Sequence, residues 1–134
     1  MRVAFDVHGV LDTYSYFREL ITGLTRMGHD TYIISGQLLD TQMKSFLNEY
    51  EIEYTHYMSV TGELQDRGVE IDWSSGLPFV AADLWNPIKA EICLREEIDV
   101  IYDDSSVYKE TFNDHDTLFI HVINMNRKEY KTRG

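Results

Sequence analysis

A carboxylate, an imidazole, a hydroxyl, an amine and an acidic pair stand at the ends of apolar runs in this chain. The run Val3, Ala4, Phe5 delivers Asp6, and His8, Gly9 and Asp12 follow closely. Thr31 to Ser35 (TYIIS) ends on a hydroxyl beside Gly36. Lys89 lies just past Asn86 and Pro87, where a helix would open. Ile98 to Tyr102 runs into Asp103 and Asp104. A short buried strand holds an acid rigidly, and a glycine after it lets backbone turn close to a ligand. Carboxylate oxygens are hard ligands that suit Mg²⁺. Mg²⁺, a lysine and a hydroxyl together would hold a phosphoryl group, and a free carboxylate could attack it.

Those residues need a scaffold that gathers strand ends at one edge. The pattern supplies one. Arg2 to Asp6 reads as a first strand. Tyr14 to Met27 reads as a helix, with Phe17, Leu20, Ile21 and Leu24 at helical spacing. Thr13 is its expected N-cap and Gly28 its closing residue. Thr31 to Ser35 is a second strand, Asp40 to Tyr50 a second helix, and Ile52 to Tyr57 a third strand. Residues 58–86 are rich in turn signals and read as an irregular stretch, long enough for a short flap and too short for a full cap domain. A helix then runs from Asn86 and Pro87 to about Glu97. Ile98 to Tyr102 and Thr117 to Ile123 are the last two strands. Strands alternating with helices predict an α/β, three-layer α/β/α sandwich with a mostly parallel, five-stranded, Rossmann-like sheet, spanning residues 1–134 as a single domain.

Bulk properties narrow the field. The 134 residues carry 12 Lys and Arg against 23 Asp and Glu, a formal net charge of −11. Such a surface repels polyanions, so nucleic acid is not the expected partner. Charged residues interrupt every apolar stretch, so no membrane span is expected. The chain opens directly on a predicted strand, so no signal peptide is expected. The one cysteine, Cys93, forms no internal disulfide and fits a reducing compartment, so the expected location is the cytoplasm.

FDVHGVLD, YIISG, NPIKAEI and VIYDDS, in that order, resemble the four motifs of the haloacid dehalogenase-like hydrolases. The resemblance spans nearly the whole chain. It implies a parallel sheet in spatial order 5-4-1-2-3, with no full cap. By resemblance, Asp6 is the nucleophile that becomes an aspartyl-phosphate. Ser35, with Gly36 beside it, and Lys89 hold the phosphoryl group. Asp6, Asp103, Asp104 and the backbone carbonyl of His8 hold Mg²⁺. The departure is His8, where most phosphatases of the family carry a second Asp that serves as acid and base. An imidazole can do that work, with an ordinary pKa of about 6.5. A neighbouring carboxylate cluster would favour its protonated form, which helps an acid and hinders a base.

Each motif taken singly has a plainer reading. Asp6 could be an ordinary strand-end acid, and Asp103 and Asp104 a solvated turn. Ser35 could be a turn hydroxyl, and Lys89 a surface lysine. Asp12 reaches the site or caps the first helix, the cap being the simpler reading. His29, His56, His115 and His121 lack metal-ligand spacing. Trp73 and Trp85 bracket the irregular stretch, lining an entrance or packing under a loop. The expected function is a Mg²⁺-dependent phosphomonoesterase on a small phosphorylated substrate, with an open site or a second copy of the chain closing it. The alternative is a weak or inactive relative that binds metal or phosphate, or serves as an interaction module.

Overall fold

β-branched and aromatic residues build five short strands: β1 Arg2–Phe5, β2 Asp30–Ser35, β3 His56–Ser59, β4 Val100–Asp103 and β5 Leu118–His121. Six helices separate or follow them: α1 Ser15–Arg26, α2 Thr41–Glu49, α3 Val60–Asp66, α4 Ala82–Trp85, α5 Ile88–Arg95 and α6 Ser106–Glu110. The computed structural model describes residues 1–123. The basic segment Asn126 to Gly134, expected to be a solvated end, lies outside the described residues.

The sheet order is β3-β2-β1-β4-β5, and every neighbouring pair is parallel. Parallel pairing follows from the helical crossovers, which return the chain to the same sheet edge before each new strand. Alternate side chains of the strands feed two cores. Val3, Phe5 and Ile33 join Ile21 of α1 and Met43 and Leu47 of α2. Ala4, Ile34 and Ile101 join Val60 and Leu64 of α3 and Ile92 and Cys93 of α5. The result is a Rossmann-like three-layer α/β sandwich. From β1 the chain builds outward to β2 and β3, then crosses to β4 on the other side. The switch point of the sheet therefore lies between β1 and β4, where ligand crevices form.

Several expected boundaries shift. The third strand begins at His56, not Ile52, and runs to Ser59. The stretch 58–86 is more regular than its turn residues suggest. Ser59 caps α3 by accepting from the Gly62 N–H, and Val60, Thr61 and Leu64 are buried. Gly62 is there for closeness, not for a turn, since a Cβ would stand 2.8 Å from Ser59 Oγ. Beyond α3, Asp72 and Phe79 pair antiparallel around a small turn, and α4 leads into α5. α6, after the acidic pair, was not expected from periodicity because it is only 5 residues long. No helix among the described residues is long and apolar enough to cross a membrane.

Candidate active site

β1 and β4 deliver the acids. Asp6 continues the β1 ladder by one bond, its N–H donating to the Tyr102 carbonyl at 2.9 Å. The backbone then swings into a wide turn over residues 7–11, closed by Asp12 N–H to the Val7 carbonyl at 3.0 Å. Gly9 makes the turn possible at φ +87°. It also admits Asp104: a Cβ on Gly9 would lie 1.8 Å from Asp104 Oδ2. Gly9→Ala therefore combines a left-handed backbone with a collision. It is expected to cost about 2 kcal/mol or more. Urea denaturation checks this, and an unchanged midpoint would mean that the turn is not needed as drawn.

Asp6, Asp103 and Lys89 are fully buried, and Asp104 is 5% exposed. Lys89 Nζ donates to Asp6 Oδ1 at 3.0 Å and to Asp103 Oδ2 at 2.7 Å. Asp103 Oδ1 accepts from the Ser105 N–H at 2.9 Å. A carboxylate oxygen of each of Asp6, Asp103 and Asp104 lies within 4.8 Å of the others. Lys89 is thus no surface lysine. It reaches from the first turn of α5 into the gap between two strand ends.

Among the described residues one ammonium serves both Asp6 and Asp103, so this pair keeps an excess of negative charge. Burial pushes the Asp6 carboxyl up to about 7, Asp103 adds to the rise, and Lys89 opposes it. Burial works against the Lys89 ammonium, but Asp103 and then Asp6 outweigh it and raise its pKa. Asp6 Oδ2 is buried and has no hydrogen-bond partner among the described residues. An orphaned buried carboxylate oxygen is costly unless something else meets it. A hard divalent cation fits the donor set, since every offered atom is oxygen and the excess charge is negative. Asp6, Asp103 and Asp104 are the side chains that would hold it.

Ser35 and Gly36 end β2, adjacent to β1, and both are buried. Ser35 Oγ accepts from the Gln37 N–H at 3.1 Å, and the Gly36 carbonyl accepts from Thr61 Oγ1 at 2.6 Å. They stand at the right edge, but among the described residues no hydrogen bond joins them to the Lys89 cluster.

His8 is held by Asp12 and Gln37 and feels the Asp6 charge. Its Nδ1 bonds Asp12 Oδ2 and its Nε2 bonds Gln37 Oε1, each at 3.2 Å. Asp40 fixes the Gln37 amide, because the Gln37 NH₂ donates to both Asp40 carboxylate oxygens at 3.1 Å. Both ring nitrogens of His8 therefore face acceptors, which suits the doubly protonated ring. The Asp12 bond raises the His8 pKa, against burial and with help from the Asp6 charge. Asp12 is consequently not the helix cap expected of it. It accepts from the Gly9 N–H at 2.8 Å and from Thr13, while α1 starts after Tyr14 with no side-chain cap. A group whose pKa is raised by folding adds stability that is complete below its unfolded value. That stability is lost as pH rises through the folded value. Asp12→Asn should lower the His8 pKa and remove that contribution, as an NMR titration of the His8 ring would read. An unmoved titration would mean that the contact does not hold in solution.

Gln37 and Asp40, which set the His8 ring, carry no motif and were missed in the sequence. So was Tyr108, whose ring lies 5.0 Å from Lys89 Nζ. Its only signal was an apolar aromatic soon after the acidic pair. Trp85 packs against the core on the α3–α5 side, whereas Trp73 is 45% exposed.

The fold and site define an α/β protein with a buried carboxylate–ammonium cluster at the carboxyl edge of a parallel sheet. No protein-family model matches the chain, and no curated protein matches it. Among solved structures, it is similar to a chain from the structure of the Pnkp1/Rnl/Hen1 RNA repair complex, at TM-score 0.59 and 16% identity. That match covers 90% of this chain and 42% of that chain, so this chain spans less than half of its structural neighbour. The likeness is one of fold.

Proposed function

We propose that the protein is a Mg²⁺-dependent phosphomonoester hydrolase of the haloacid dehalogenase-like type, acting through Asp6. The observation that carries this reading is the buried Asp6–Lys89–Asp103 cluster at the sheet's switch point, with Asp6 Oδ2 left without a partner. Bound Mg²⁺ would offset the excess negative charge and polarise the phosphoryl oxygens. The residues do the rest. An Asp6 carboxylate oxygen attacks phosphorus, and the bond from phosphorus to the ester oxygen breaks. His8, held as imidazolium, gives its proton to the departing alkoxide. Lys89 steadies both Asp6 and the transferring group. Ser35 and the Gly36 backbone would hold phosphoryl oxygens. Water then attacks the Asp6 phosphoryl group, His8 takes a proton from it, and phosphate leaves with the Asp6 carboxylate restored.

The second step is the slow one in this scheme. Asp12 and Gln37 both favour return of a solvent proton to the ring after the first step, and a reprotonated ring is no base. That same clamp supports the second reading, a binding module with little turnover.

The test is phosphate release from a panel of phosphomonoesters, with and without Mg²⁺, from about pH 5 to 9, with Asp6→Asn as the blank. The structural neighbour comes from an RNA repair complex, so a phosphate-terminated oligoribonucleotide belongs in the panel. The net charge of −11 favours the small substrates over it. Turnover that requires both Mg²⁺ and Asp6 supports the hydrolase. Mg²⁺ binding with no turnover on any substrate supports the module. In the first case, loss of activity in His8→Ala makes the imidazole the acid and base.

A further inference from the structure

Lys89 has three donors and two carboxylate partners, and its remaining side faces an aromatic ring. That ring, Tyr108, is 3% exposed. It is held at both ends. Ser105 Oγ accepts from the Tyr108 N–H at 3.3 Å, capping α6 immediately after the acidic pair. At the other end the Tyr108 hydroxyl accepts a hydrogen bond from Trp85 Nε1. Trp85 closes α4, near the end of the stretch 58–86, and α5 with Lys89 follows directly. A single line of contacts therefore runs from that segment through Trp85 and Tyr108 to the ammonium between Asp6 and Asp103.

We infer that Tyr108 is a positioning residue for Lys89, with Trp85 holding Tyr108 in place. A buried ammonium draws attraction from a ring face in a water-poor site. A fixed ring also stops the flexible four-carbon stem from leaving the gap between the acids. The hydroxyl and the indole N–H matter through one shared bond, so either half alone is worth nothing. The inference bears on catalysis only if the hydrolase reading holds, but the placement of Lys89 can be tested without it.

The experiment compares Tyr108→Phe, Trp85→Phe, their double variant and Tyr108→Leu. Reductive methylation followed by mass spectrometry reads the accessibility of Lys89, with exposed Lys44 and Lys109 as internal references. Lys89 should be protected in the wild type, labelled about threefold faster in each Phe variant, and about tenfold faster in Tyr108→Leu. The double variant should match the singles, because both remove the same bond. Where phosphate release is measurable, kcat should fall in the same order, with Tyr108→Phe recovering most of what Tyr108→Leu loses. Unchanged labelling across the set would overturn the inference, as would single effects that multiply in the double variant. Should Tyr108→Leu fail to fold, the two Phe variants still decide. A wild type without turnover would count against the hydrolase reading and leave the labelling result to stand or fall by itself.

Discussion

Lys89→Met is expected to cost the metal-free fold about 3–5 kcal/mol, the size typical of breaking a buried ion pair from one side. Lys89 is the cation that touches Asp6 and Asp103, and all three are fully buried. Methionine fills similar space and removes the charge, so the two acids face each other with nothing between them. The loss should depend on pH. With Lys89 present, the Asp6 carboxyl already sits at about 7 in the folded protein, against an unfolded value near 3.8. A raised carboxyl adds stability that is complete below the unfolded value and gone once pH has risen through the folded one. Removing Lys89 takes away a lowering influence and pushes the carboxyl higher still. The deficit should therefore be larger at pH 8 than at pH 5, where Asp6 can take up a proton. Urea denaturation at both pH values, without divalent metal, reads it. Equal midpoints for variant and wild type at pH 8 would mean that the ammonium does not balance the acids. Lys89→Arg should rescue poorly, because a planar guanidinium needs more room than a compact ammonium does.

The sheet was legible because its signals are local and repeated. The runs at Val3 to Phe5 and Thr31 to Ser35, and the helical spacing through Ile21 and Leu24, each mark one element, and their alternation implies parallel pairing, while the spatial order came only from the resemblance. Legibility failed where an element is short or where glycine packs instead of turning. α3 hid behind Gly62, which packs against Ser59, and α6 has too few residues to show a period. The site divides the same way. Asp6, Asp103 and Asp104 stand at strand ends that any parallel sheet would gather. Lys89 carries no distinctive local signal in the sequence, since a lysine on a helix is ordinarily solvated. Only the fold reveals that two buried acids compel it inward. The environment of His8 could not be read at all. It depends on Gln37, a residue 29 positions away, whose amide is oriented by Asp40. Such a chain of contacts leaves no trace in periodicity or composition. For Asp12 the local sequence even misled, because a carboxylate just before a helix is the standard signal for a cap. The backbone of the wide turn offered it the Gly9 N–H instead, closer and already aimed.

Asp6→Asn should abolish phosphate release and yet make the metal-free protein more stable at pH 8, by on the order of 1 kcal/mol. Stability and function pull apart here for one reason. Asp6 and Asp103 share one ammonium, and Asp6 Oδ2 meets no partner among the described residues, an excess that a bound cation would relieve. Asparagine keeps the shape of Asp6, removes one negative charge, and leaves Lys89 paired with Asp103 at 2.7 Å. The gain should vanish near pH 5, because the Asp6 carboxyl, pushed up to about 7, is already protonated there in the folded wild type. Mg²⁺ should reverse the ranking. A ligand that binds only the folded state stabilises it in proportion to the logarithm of its saturation. The wild type should therefore gain more from Mg²⁺ at pH 8 than at pH 5, while Asp6→Asn gains little at either. Thermal unfolding of both proteins, with Mg²⁺ or with a chelator at the two pH values, gives all the comparisons. If Asp6→Asn is the less stable protein at pH 8 without metal, Asp6 is a structural partner of Lys89 and the excess charge is balanced in some other way. If it gains as much from Mg²⁺ as the wild type does, the ion does not sit on Asp6. A gain in stability from Asp6→Asn, with loss of the Mg²⁺ response, would fit the proposed role of Asp6 as a nucleophile that meets a cation and a phosphoryl group.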